Sequence, residues 1–76
     1  VQIPDGQGIV RRFLPDRPGN DIYIWVSGNT LDLPEEKRLY PDSFELNVTF
    51  NEVLDKNKSL AEQNIKGRIF LSISEL

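Results

Sequence analysis

Seventy-six residues are enough for one small domain, expected to span residues 1–76, with a core of only marginal size. The chain has no cysteine and no histidine, which excludes disulfide staples and the usual zinc ligand sets and removes the commonest general base and the most reactive nucleophile. Nine basic and twelve acidic residues leave a net charge of −3, which argues against tight non-specific binding to nucleic acid but leaves room for a local basic patch.

Residues 1–8 (VQIPDGQG) read as a lead-in with a turn at Pro4-Asp5-Gly6. Residues 8–14 (GIVRRFL) have the β-branched and aromatic character of a first strand, which Pro15 ends. The next six residues, PDRPGN, are dense in turn formers and are expected to make a short connection. Gly19-Asn20-Asp21-Ile22-Tyr23-Ile24-Trp25-Val26-Ser27 then alternates in a way that predicts a strand, with Ile22, Ile24 and Val26 on a core face and Tyr23 and Trp25 on the other. Gly28-Asn29 reads as another turn, and the polar stretch 30–43 as a long loop with a single helical turn around Pro34 to Tyr40.

Residues 44–53 form the second clear alternation, with Phe44, Leu46, Val48 and Phe50 on one face. A polar turn at residues 54–58 follows. From Ser59 two readings stand. Ser59-Leu60-Ala61-Glu62 fits a capping box, so residues 60–66 make a short helix ending at Gly67; alternatively residues 60–65 are a strand, favoured because so short a helix is marginal without strong packing. Residues 68–74 (RIFLSIS) are β-rich in either case. Together these elements predict an all-β domain, a small barrel or sandwich of four to five antiparallel strands.

Several of these segments resemble the cold-shock domain, an OB-fold family. Asp21-Ile22-Tyr23-Ile24-Trp25-Val26-Ser27 is similar to its second nucleic-acid-binding motif, D-V-F-V-H-x-S, and Gly8-Ile9-Val10-Arg11-Arg12-Phe13 to its first strand, G-x-V-K-W-F. Val48-Thr49-Phe50, Asp55-Lys56-Asn57-Lys58 and Ala61-Glu62-Gln63-Asn64-Ile65 follow in the family's order. The glycine- and aromatic-rich first motif, K-G-F-G-F-I, is missing, Arg12 stands in place of a surface Trp and Trp25 in place of His. The resemblance implies a divergent OB-like barrel that binds single-stranded RNA or DNA. Tyr23 and Trp25 would stack bases, Phe13 would extend the platform, and Arg11, Arg12, Lys56 and Lys58 would contact phosphates.

Each assignment has a plainer counterpart. Tyr23 and Trp25 also suit a second small core beneath the 30–43 loop, and Lys56, Lys58, Lys66 and Arg68 suit a solvated turn. The acidic balance and the missing motif favour the alternative function, a protein-interaction or structural module in which the two rings anchor an interface. No catalytic activity is expected, because Glu35-Glu36-Lys37-Arg38 reads as an exposed cluster with local ion pairs and holds no substrate between its carboxylates. Nor is a cofactor, a metal or a membrane partner expected. With no signal-peptide pattern the reading is cytoplasmic, although Asn47-Val48-Thr49 and Asn57-Lys58-Ser59 match the glycosylation pattern and leave an extracellular fragment open. A start at Val1 rather than Met fits an excised or processed piece.

Overall fold

A computed structural model describes all residues except Gln2, Pro4, Asp5, Gln7, Phe50, Asn51, Lys66, Gly67 and Arg68. Helix α1 (Gly19–Gly28) comes first, followed by a 3-10 turn at Glu35–Lys37, strands β1 (Phe44–Thr49) and β2 (Glu52–Val53), a second 3-10 turn at Ala61–Gln63, and strand β3 (Ser72–Glu75). The strands form a three-stranded antiparallel sheet in the order β2-β1-β3. This is a mixed α/β architecture, which corrects the all-β, OB-like barrel of four to five strands.

The decisive difference is at residues 19–28, expected as a strand and found as a helix. A run with an apolar side chain at every position from Ile22 to Val26 satisfies both periods at once, so alternation cannot decide between them. In the helix, Ile22, Tyr23, Val26 and Ser27 are buried on one stripe, whereas Ile24 is exposed. The flanking residues read as turns are helix-end signals: Pro18 is the N-cap with extended φ/ψ, Asp21 lies in the first turn, and Asn29 is the C-cap. Packing overrides the modest helix propensity of Ile, Tyr, Trp and Val.

Side-chain capping does not hold the helix N-terminus. Its first donors meet carbonyls of the chain that follows β2: the Gly19 N–H donates to Lys58 O at 2.9 Å and the Asn20 N–H to Lys56 O at 3.2 Å. In return the Leu60 N–H donates to Arg17 O and the Ala61 N–H to Pro15 O. At the other end, the fully buried Thr30 hydroxyl donates to Ser27 O and accepts from the Leu39 N–H, both at 2.8 Å. The Ser27 hydroxyl donates to Leu39 O at 2.6 Å. The long 30–43 loop is thereby tied to the end of α1.

In β1 the expected alternation is present, with Phe44 and Leu46 buried, Val48 half-buried and Thr49 exposed; Phe50 lies outside the described residues. The stretch 44–53 is two strands rather than one, since Asn47 pairs Val53 and Thr49 pairs Glu52. β3 pairs β1 from Phe44↔Glu75 to Asn47↔Ser72, so the expected 68–74 strand begins later, with Arg68 outside the described residues. Residues 9–14, expected as a strand, carry no regular secondary structure. The lead-in folds back through Ile9 N–H to Val1 O at 2.7 Å, and its turn includes Gly6 at φ 89°, with Pro4 and Asp5 outside the described residues.

At residues 59–64 the capping box forms and the strand does not. The Ser59 N–H donates to Glu62 Oε1 at 3.2 Å and the Glu62 N–H to Ser59 Oγ at 3.1 Å. The turn closes at Asn64, left-handed at φ 59°, ahead of Gly67, which lies outside the described residues. The expected ion pairs at residues 35–38 are absent among the described residues; Arg38 Nε donates to Leu33 O instead. One core of Ile3, Ile22, Tyr23, Val26, Leu39, Phe44, Leu46, Leu54, Leu60 and Leu71 sits between helix and sheet.

Candidate functional site

A helix turns through about 200° over two residues, so Tyr23 and Trp25 leave α1 on different sides and share no stacking face. Tyr23 is 1% exposed and packs on Phe44 with ring centroids 5.2 Å apart. Its hydroxyl donates to Leu54 O at 3.1 Å and accepts from the Leu46 N–H at 2.9 Å. Burial pushes this hydroxyl above its ordinary value of 10.0; the Leu46 N–H opposes the rise, and the carboxylates of Glu45 and Asp55 add to it. Tyr23 therefore lies in the main core, against Phe44, and not in a separate small core beneath the 30–43 loop.

The basic residues divide in the same way. Lys56 Nζ lies 4.6 Å from the centre of the Tyr23 ring, donates to Pro41 O at 2.6 Å and pairs with Asp42 at 3.5 Å. Lys58 is exposed in the same turn, and Lys66 and Arg68 lie outside the described residues. Arg11, Arg12, Phe13 and Trp25 gather on the opposite flank of the helix. Phe13 meets Trp25 edge-on at 5.5 Å and 69°, and the Arg11 guanidinium stands 5.0 Å over the Phe13 ring.

These four residues border an open groove of ≈ 790 Å³. Among the described residues it is lined by Ile9, Val10 and Phe13 of the irregular chain before α1, by Ile22 and Trp25 of α1, and, as a far wall, by Ile65, Ile69, Phe70 and Leu71. Val10 is 96% exposed and Phe70 70% exposed, so large apolar side chains stand at the mouth. Sequence reasoning missed the far wall. The signal for it was the three-residue apolar run Ile69-Phe70-Leu71, longer than the one-sided burial of an edge segment requires. Among the described residues no group of His, Cys, Asp and Glu could hold a metal ion, and no helix is long and apolar enough to cross a membrane. Of the two glycosylation patterns, Asn47 lies in β1 with its amide bonded to Ser74 Oγ at 2.7 Å, and Asn57 is exposed in a turn.

Among the described residues, one α-helix tied to a three-stranded antiparallel sheet defines a small mixed α/β domain. The family model of the UBX domain matches residues 1–69, and the chain belongs to that family. A UBX domain is a ubiquitin-like β-grasp domain that mediates protein–protein interaction. This overturns the cold-shock resemblance: the segment likened to a nucleic-acid-binding strand is α1, and the segment likened to the first strand is irregular chain. Among curated proteins none matches the chain.

Proposed function

We propose that this domain is a docking module for the AAA ATPase p97, acting in the cytoplasm by binding rather than by catalysis. The single observation that supports the reading is the UBX match over residues 1–69, since UBX domains bind other proteins of which p97 is the example. The exposed apolar groups around the groove suit a protein partner better than a phosphate backbone, and the net charge of −3 agrees with that.

Calorimetric titration of the chain into p97 tests the proposal. Saturable binding at micromolar concentrations is expected, and a ubiquitin-like domain of another family serves as the control for non-specific adsorption. A chain that is folded by circular dichroism and shows no heat of binding at high micromolar p97 would overturn it.

A further inference from the structure

Lys56 is tied through both its main chain and its side chain. Its carbonyl accepts from the Asn20 N–H at 3.2 Å and so satisfies a first-turn donor of α1. Its ammonium donates to Pro41 O at 2.6 Å, in a turn that the Ser43 hydroxyl closes by accepting from the Tyr40 N–H at 3.0 Å and donating to Tyr40 O at 2.9 Å. Two residues before Pro41, Leu39 is fixed to the other end of the helix by the hydroxyls of Ser27 and Thr30. The bonds therefore run in a closed ring, from the C-terminal end of α1 through residues 39–41 to Lys56 and back to the N-terminal end, about 15 Å away along the helix axis.

The Lys56 side chain is the link on which this ring depends. Among the described residues no other hydrogen bond or ion pair joins residues 40–43 to residues 54–60. The pair with Asp42, whose side chain is fully exposed, is screened and contributes little. The bond to the Pro41 carbonyl differs, because the half-buried ammonium also lies 4.6 Å from the centre of the buried Tyr23 ring, which shields one side of it from water. Such a bond is lost when the carbonyl withdraws by roughly 1 Å, so the link is either made or broken.

We propose that Lys56 is a clasp that couples the Tyr40–Ser43 turn to the N-terminus of α1. With the clasp closed, displacement of the turn pulls on residues 54–60 and weakens the Asn20 bond; with it open, the turn moves without effect on the helix. A partner that shifts the exposed Tyr40 is thus felt where Asn57 and Lys58 stand exposed, and by linkage a partner at Asn57 and Lys58 is felt at Tyr40. The clasp belongs to the folded chain alone, so its failure and a failure to bind p97 are separate results.

Native-state hydrogen exchange, read amide by amide by nuclear magnetic resonance, tests the clasp as a double-mutant cycle. Ser43→Ala loosens the turn without touching Lys56 or Asn20. Lys56→Met keeps the length of the side chain and an apolar cover on Tyr23 while removing the charge and the donors. Ser43→Ala is expected to speed exchange of the Asn20 N–H by roughly threefold more than that of the Leu54 N–H, which bonds to Leu46 O within the core and reports wider opening. In the Lys56→Met background that excess disappears. The proposal is overturned if Ser43→Ala accelerates Asn20 and Leu54 equally, which makes the effect global, or if the excess at Asn20 survives Lys56→Met. The first comparison needs only the Ser43→Ala chain, so it decides even where Lys56→Met fails to fold.

Discussion

The Tyr23 hydroxyl occupies a place that a main-chain group would ordinarily take. The register Asn47↔Val53 puts Leu46 opposite Leu54, and one of that pair's two hydrogen bonds is direct, from the Leu54 N–H to Leu46 O at 2.7 Å. The other runs through the hydroxyl, which accepts from the Leu46 N–H and donates to Leu54 O. Tyr23→Phe keeps the ring on Phe44 but strands two buried main-chain groups, each at a cost of roughly 1–3 kcal/mol. A loss of about 2–4 kcal/mol in urea-induced unfolding is expected; a loss below about 0.5 kcal/mol would show that the hydroxyl does not bridge the ladder. The same group sets an alkaline limit. Because folding raises the affinity of this hydroxyl for its proton, its contribution is complete below the unfolded value and declines as pH rises from about 10 towards the folded one, where the unfolded chain has already released the proton. Urea midpoints measured from about pH 8 to about pH 11 should fall more steeply for the parent chain than for Tyr23→Phe; parallel slopes would contradict the assignment.

At the scale of the element, α1 depends on a close approach that its first residue alone permits. A Cβ added to Gly19 would lie 2.1 Å from Asp55 O and 3.0 Å from Asp55 C, both main-chain atoms, whereas one added to Gly28 meets nothing within 4 Å. Gly19→Ala must push α1 off the strap at residues 54–60, with an expected cost of about 1–3 kcal/mol. Gly28→Ala, at the last helical position, is expected to be neutral or to stabilise by up to about 1 kcal/mol. Thermal unfolding of the two variants tests the pair, and equal midpoints would remove the strap from the account. The strap also explains why the helix was illegible in the sequence. Its N-terminal donors are satisfied by the carbonyls of Lys56 and Lys58, distant in sequence, where a Ser or Asp N-cap would have announced the start. The apolar run from Ile22 to Val26 fits strand and helix alike, so only the identity of the surface beneath it decides. By contrast β1 was legible because Phe44, Leu46 and Val48 alternate with Glu45, Asn47 and Thr49, a pattern that one helical face cannot bury. The capping box at Ser59 was legible too, and it was wrongly set aside because its helix is short; a 3-10 turn needs only the box and the left-handed Asn64.

Across the whole molecule, composition could not place the aromatic residues, which depend on which side of α1 each ring leaves. Grouping Tyr23 with Trp25 rested on the strand period; at the helical period Trp25 instead meets Phe13, over which Arg11 stands, while Tyr23 meets Phe44 and Lys56. Tyr23 and Trp25 nevertheless report on one body. The radius of gyration is 11.9 Å, near the roughly 11 Å of a compact chain of this length, and the core cluster draws from the lead-in, α1, the loop, β1 and the segment before β3. Ile3, Leu39, Leu54 and Leu71 each bring a different segment into that cluster, so no part of it can open without exposing the rest. A single cooperative transition is expected, with Trp25 fluorescence and far-ultraviolet dichroism giving coincident midpoints in urea. Leu46→Ala, at a fully buried position in the central strand, should move both midpoints together and cost about 2–5 kcal/mol. If Trp25 instead becomes solvated well before the dichroism changes, residues 9–14, which carry no regular secondary structure, open as a separate unit.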